Sequence, residues 1–91
     1  MQKDGLRMRA AELLDVPADT IAGLLHIEMT GTKEVFIENH KGIIELSENE
    51  VKVNAGKKVV HVLGQRLCVL SMNSEEVRLG GEIERVNFEG A

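Results

Sequence analysis

Apolar positions along the chain recur with two periods. Leu6, Ala10, Leu13 and Leu14 fall at i, i+4, i+7 and i+8, which lines one face of a helix, while Arg7, Arg9 and Glu12 take the other face. Asp4 can cap this segment, and Pro17 disfavours helix at Val16, so the pattern predicts an amphipathic helix over about 5–16. Three turns are marginal alone, so such a helix must dock, on its own sheet or on a partner or membrane surface. Pro17–Thr20 reads as a connector or as the first turn of a second short helix, which Gly23 disfavours. From Leu24 the period falls to two. Leu25, Ile27 and Met29 alternate with His26, Glu28 and Thr30, and Val35 and Ile37 alternate with Phe36 and Glu38.

Short strands then follow one another between turn signals. Ile43–Leu46, Val51–Val53, Val59–Leu63, Leu67–Ser71, Val77–Leu79 and Ile83–Phe88 are separated by Ser47–Asn49, Asn54–Gly56, Gly64–Arg66, Met72–Ser74 and Gly80-Gly81. The last of these is a turn or a bulge. The stretch Phe36–Leu46 reads as a β-hairpin, because Asn39 and Gly42 tolerate the positive φ of a tight reversal. The pattern predicts a mainly β fold. It takes the form of a compact antiparallel meander, small barrel or sandwich of about eight short strands, with one N-terminal amphipathic helix. Residues 1–91 form a single domain, with the β-rich body at about 24–89. Sheet edges left open by such an arrangement invite another strand, so self-association or strand addition is an expected partner mode.

Composition sharpens this picture in two places. Aromatics are 2% of the chain, with neither Trp nor Tyr, so the core must be built from Val, Ile, Leu and Met. The net charge is −4 and no basic tract occurs, which argues against nucleic-acid binding, as does the lack of stacking platforms. No run approaches the length of a membrane span, and no signal-peptide pattern is present. The single Cys68, in Leu67–Leu70, reads as a buried structural thiol, compatible with a reducing compartment.

Candidate chemistry is sparse. His26, His40 and His61 lie on separate segments without metal-ligand spacing, so neither a metal nor a cofactor is expected. His26 and His61 fall on strand faces, one exposed and one partly buried, and His40 reads as a solvated loop residue. The apolar neighbours of Cys68 would raise its pKa, and Ser47, Ser71 and Ser74 sit where Ser serves turns, so no nucleophile with a base is evident. An enzyme is not expected. Asn39-His40-Lys41-Gly42 remains, either as loop-forming chemistry or as a recognition tip on a rigid scaffold.

Gly31–Ser47 resembles the YabP/YqfC family of sporulation proteins, and its YqfC branch in particular. The carrying residues are Ile37-Glu-Asn-His-Lys-Gly42, then the apolar pair Ile43-Ile44, the polar turn Ser47–Glu50 and Val51-Lys-Val53. Gly64 with Leu67 and Val69 is similar to the family's G-x-x-L-x-I unit. Gly81-Glu-Ile83 through Val86-Asn-Phe88 is similar to its closing motif. The likeness spans about 6–89, with Lys57-Lys58 where many relatives carry Gly, and without a Pro-Arg pair around Gly23–Leu25. The resemblance implies a small non-enzymatic scaffold or adaptor of spore development, acting in cortex or coat assembly. It implies a place in the mother-cell cytoplasm or at the membrane around the forespore. Its partner would be a membrane-embedded sporulation protein, contacted through Phe36, Asn39, His40 and Lys41. The alternative expectation is a small-ligand or cell-wall-glycan binding module, although sugars favour aromatic platforms and only Phe36 and Phe88 are available.

Overall fold

The computed structural model describes residues 23–90, and the helix expected at about 5–16 lies outside the described residues. The described chain is all β: β1 (His26–Thr30), β2 (Glu34–Glu38), β3 (Ile43–Leu46), β4 (Glu50–Asn54), β5 (Lys58–Met72) and β6 (Glu76–Gly90). They form one antiparallel sheet in the order β1-β2-β6-β5-β4-β3. There are six strands rather than eight, because Gly64–Arg66 and Gly80-Gly81 do not turn the chain. Both lie inside 15-residue strands. Only β3 to β6 follow one another as a meander; β2 pairs with β6 instead of β3.

The sheet cannot be flat. Glu38 sits opposite Glu76 on β6, whereas Ile43 reaches β6 through Val53, Val60 and Phe88. Residues 76 and 88 would stand ~40 Å apart along a straight strand. The connector from Glu38 to Ile43 spans at most ~18 Å. The β5–β6 hairpin must therefore fold over, and it does so at Gly64–Cys68 and Gly80–Arg85, where the register slips on both strands. Arg66 and Gly81 have φ of 54° and 133° there. A Cβ on Gly64 would land on the Glu82 carbonyl oxygen, and one on Gly81 would stand 2.6 Å from the Arg66 carbonyl oxygen. Glycine is what lets the two strands touch at the fold.

Folding over makes two layers. One holds β3, β4, the first part of β5 and the last part of β6; the other holds β1, β2, the first part of β6 and the last part of β5. Val51, Val53, Val60 and Val62 come from the first layer, and Val35, Ile37, Val77 and Leu79 from the second. With Leu67 and Ile83 near the bend, they make one buried cluster. The period-two alternation of β2 and β4 supplies this core directly. Two turns close over the bend. Gly81 and Ile83 donate their backbone N–H to Lys33 and Thr32, and Gly64 and Leu67 donate to Asn49 and Glu48. Among the described residues, no helix is long and apolar enough to cross a membrane.

Candidate functional site

The segment Asn39–Gly42 is the crossing between layers, not the loop of a hairpin. β2 and β3 never pair, because the core pattern sends Val35 and Ile37 to one layer and Val53 with Ile43 to the other. Asn39 adopts φ 67°, which Asn tolerates better than most residues. Its backbone N–H and that of His40 donate to the Glu75 carbonyl, at 2.6 and 3.3 Å. Lys41 donates to the Asn54 carbonyl and accepts nothing from that residue in return. Instead, the Asn54 N–H donates to the Gly42 carbonyl and continues the β3–β4 ladder. One end of the connector is thus tied to the β5–β6 turn and the other to β4.

His40 is buried, with 4% of its surface exposed, not solvated as its loop position suggests. The Gly42 N–H donates to Nδ1 at 2.9 Å, so Nδ1 is an acceptor and Nε2 carries the hydrogen. Nε2 then donates to the Asn73 carbonyl at 3.0 Å. Asn39 Nδ2 donates to the Leu24 carbonyl at 2.6 Å. Both side chains are committed to the fold, where they clasp the open end of the bent sheet. Of the four residues expected to contact a partner, Lys41 is exposed, and Phe36 lies on the outer face of β2 under the Arg78 guanidinium, 4.8 Å from the ring centre. The four do not share one kind of surface.

A second polar group lies on the outer face of the first layer. His61, with side-chain exposure of only 12%, stands between two carboxylates, Nε2 at 2.6 Å from Glu50 and Nδ1 at 2.9 Å from Glu89. A carboxylate only accepts, so both contacts are hydrogen bonds when each ring nitrogen carries a proton. Glu45, next to Glu50 across the strands, is held above its ordinary range by a hydrogen bond to Glu50 and by that residue's charge. Glu50 is lowered in turn by hydrogen bonds from Glu45 and His61. His26 is the more exposed strand histidine and contacts Glu28 at 3.2 Å. Among the described residues no group of three His, Cys, Asp or Glu side chains could hold a metal ion.

The sequence predicts open sheet edges but not where they fall, and one of them lies on β5. β4 covers β5 only from Val59 to Leu63, so among the described residues Cys68–Met72 has a strand on one side alone. This edge reads Cys-Val-Leu-Ser-Met, without a charge, and Leu70 and Met72 are 53% and 51% exposed. Cys68 is exposed as well, not the buried thiol its apolar neighbours suggest. An apolar run at a bare edge has the same residue types as one in a core, so only the bend at Gly64–Cys68 distinguishes them. By contrast β3 is four residues long with a central Glu45, and β1 carries His26 and Glu28, both common ways of protecting an edge.

The described residues define a small β domain, one six-stranded antiparallel sheet bent over on itself. The family model described as "YabP family" matches residues 22–91, and the chain belongs to that family. It is also 29% identical to a protein of Bacillus subtilis (strain 168) described as "Uncharacterized protein YqfC", over 96% of this chain and 94% of that protein. No solved structure matches it.

Proposed function

We propose that the chain is a non-enzymatic assembly module of spore development, which holds a membrane-embedded sporulation protein through its free β5 edge. The observation that carries this reading is the uncharged edge Cys68–Met72, with Leu70 and Met72 half exposed. Unpaired backbone N–H and C=O groups flanked by apolar side chains are what an added strand uses: the ladder supplies affinity and the side chains supply selectivity. The family membership carried by the motifs around Ile37–Gly42 supports the spore setting, and in this reading the protein works in the mother cell, against the membrane around the forespore. Phe36 and Lys41 then serve as outward-facing flanks, while Asn39 and His40 keep the scaffold closed.

The test is a co-purification of tagged chain from sporulating cells, with Ser71→Lys as comparison. Ser71 is exposed, and a lysine on a free edge opposes strand addition. The wild-type chain is expected to recover a membrane-embedded sporulation protein, and Ser71→Lys to lose it with an unchanged melting temperature. If wild-type chain brings down no membrane or coat-assembly protein, the reading is wrong.

A further inference from the structure

A different free edge carries a different partner. Beyond Ile83, whose N–H reaches the Thr32 carbonyl, β6 has β5 on one side and, among the described residues, no strand on the other. That stretch reads Glu84-Arg-Val-Asn-Phe-Glu-Gly90. Its faces are set by the pairing with β5. Val86 and Phe88 lie opposite the buried Val62 and Val60 on the core side, while Arg85, Asn87 and Glu89 lie opposite Leu63, His61 and Val59 on the outer side. Phe88 points to the core side yet is 58% exposed, so the margin of the core is open there.

We propose that this edge pairs with the same edge of a second copy, antiparallel about a two-fold axis through Asn87. Directly opposed residues of an antiparallel pair lie on the same face, so the two-fold keeps both cores on one side. It sets Arg85 against Glu89 of the partner subunit, twice, on the outer face. On the core side it sets Val86 against Phe88 of the partner subunit, twice, covering the exposed ring. Opposite charges and an aromatic against a β-branched residue are the cross-strand pairs that favour pairing. Moving the axis to residue 85 or 89 would oppose like charges, and an axis at 86 or 88 would put Arg85 or Glu89 against Asn87. Only the axis through Asn87 matches both faces.

Side chains at this edge are already set for it. Arg85 is exposed and makes no ion pair among the described residues. Glu89, 42% exposed, is held at 2.9 Å by His61 Nδ1, so the incoming guanidinium would extend a line of polar contacts from Glu50 through His61 to Glu89. The resulting sheet runs continuously through both copies and leaves each β5 edge free, so this inference stands apart from the assembly role above.

Sedimentation of the full chain, joined to cysteine trapping, tests it. Opposed Cα atoms of an antiparallel pair are ~4.5–5.5 Å apart, inside the range a disulfide accepts. Asn87→Cys in a Cys68→Ser background is therefore expected to form a covalent dimer on mild oxidation. Arg85→Glu is expected to weaken the dimer about tenfold or more, since two attractive pairs become repulsive. Arg85→Glu combined with Glu89→Arg is expected to restore it. A monomer at every concentration up to the solubility limit overturns the inference. So does a dimer that Ser71→Lys dissolves and Arg85→Glu leaves intact, or one in which Asn87→Cys never cross-links.

Discussion

The two ends of the folded-over sheet are held by different means. At the bend, backbone meets backbone: Gly64 lies against the Glu82 carbonyl, Gly81 lies against the Arg66 carbonyl, and two turns accept main-chain hydrogen bonds from the strands. At the open end, side chains add to the main-chain bonds of Asn39, His40 and Lys41, through His40 to Asn73 and Gly42 and through Asn39 to Leu24. A backbone contact has no slack, because any added atom forces the strands apart. A side-chain clasp can loosen while the layers stay packed on the valines between them. The bend therefore decides whether this fold exists, and the clasp decides how tightly it closes.

Breaking the bend is expected to have the largest effect. Gly64→Ala places a methyl on the Glu82 carbonyl oxygen, where backbone has no room to give. The expected cost is about 4 kcal/mol or more, a large share of the ~5–15 kcal/mol that a domain commands. Urea denaturation should show the variant's unfolding midpoint displaced far below that of wild type. A variant within 1 kcal/mol of wild type would mean that the bend is soft and the comparison false.

Breaking the clasp should cost less and leave the bend intact. His40→Ala leaves the Asn73 carbonyl and the Gly42 N–H without their partner, at about 2–4 kcal/mol for two part-buried groups. His40→Asn puts an amide oxygen near the place of Nδ1, so it should keep the Gly42 contact, lose the reach to Asn73, and recover about half of that loss. Amide hydrogen exchange separates the two ends. Both variants should speed exchange at Asn39, Lys41 and Asn54 while Gly64 and Ile83 remain slow. Uniform acceleration would show that the clasp and the bend are one unit.

The core strands were legible in the sequence and the path between them was not. Period-two alternation places Val35, Ile37, Val51 and Val53 inward, and all four are fully buried. Asn54–Gly56 and Ser47–Asn49 do turn the chain. Glycine, however, marks a sharp bend inside a strand with the same letter that marks a reversal between strands, so Gly64–Arg66 reads as a turn and Gly80-Gly81 as a turn or a bulge, of which the bulge is the outcome. Asn39–Gly42 has hairpin chemistry because it needs positive φ, which it has at Asn39 and Gly42, but what it connects is set by distant core residues. Local propensity cannot see that His40 will meet Asn73, which lies 33 residues further on. The same limit hid the β5 edge, since covering depends on how far β4 runs. The Ile37–Gly42 motif identified the family correctly, and the structure places it at the clasp.

Within the bend itself, charge should matter least. Glu82 lies at 2.9 Å from both Lys33 and Arg66, joining a turn to the bulged strand. The hydrogen bond and charge of Lys33, then those of Arg66, hold its carboxyl below the ordinary value of 4.5. A carboxyl lowered in the folded state adds stability that is present above 4.5 and lost as pH falls through its folded value. Glu82→Gln should therefore lower the melting temperature slightly near neutrality, and the difference from wild type should vanish well below pH 4.5. All three side chains are about half exposed or more, so the effect is small and molar salt should erase it. If Glu82→Gln instead costs as much as Gly64→Ala and salt leaves that cost unchanged, then side chains rather than backbone hold the bend, and the contrast between the two ends fails.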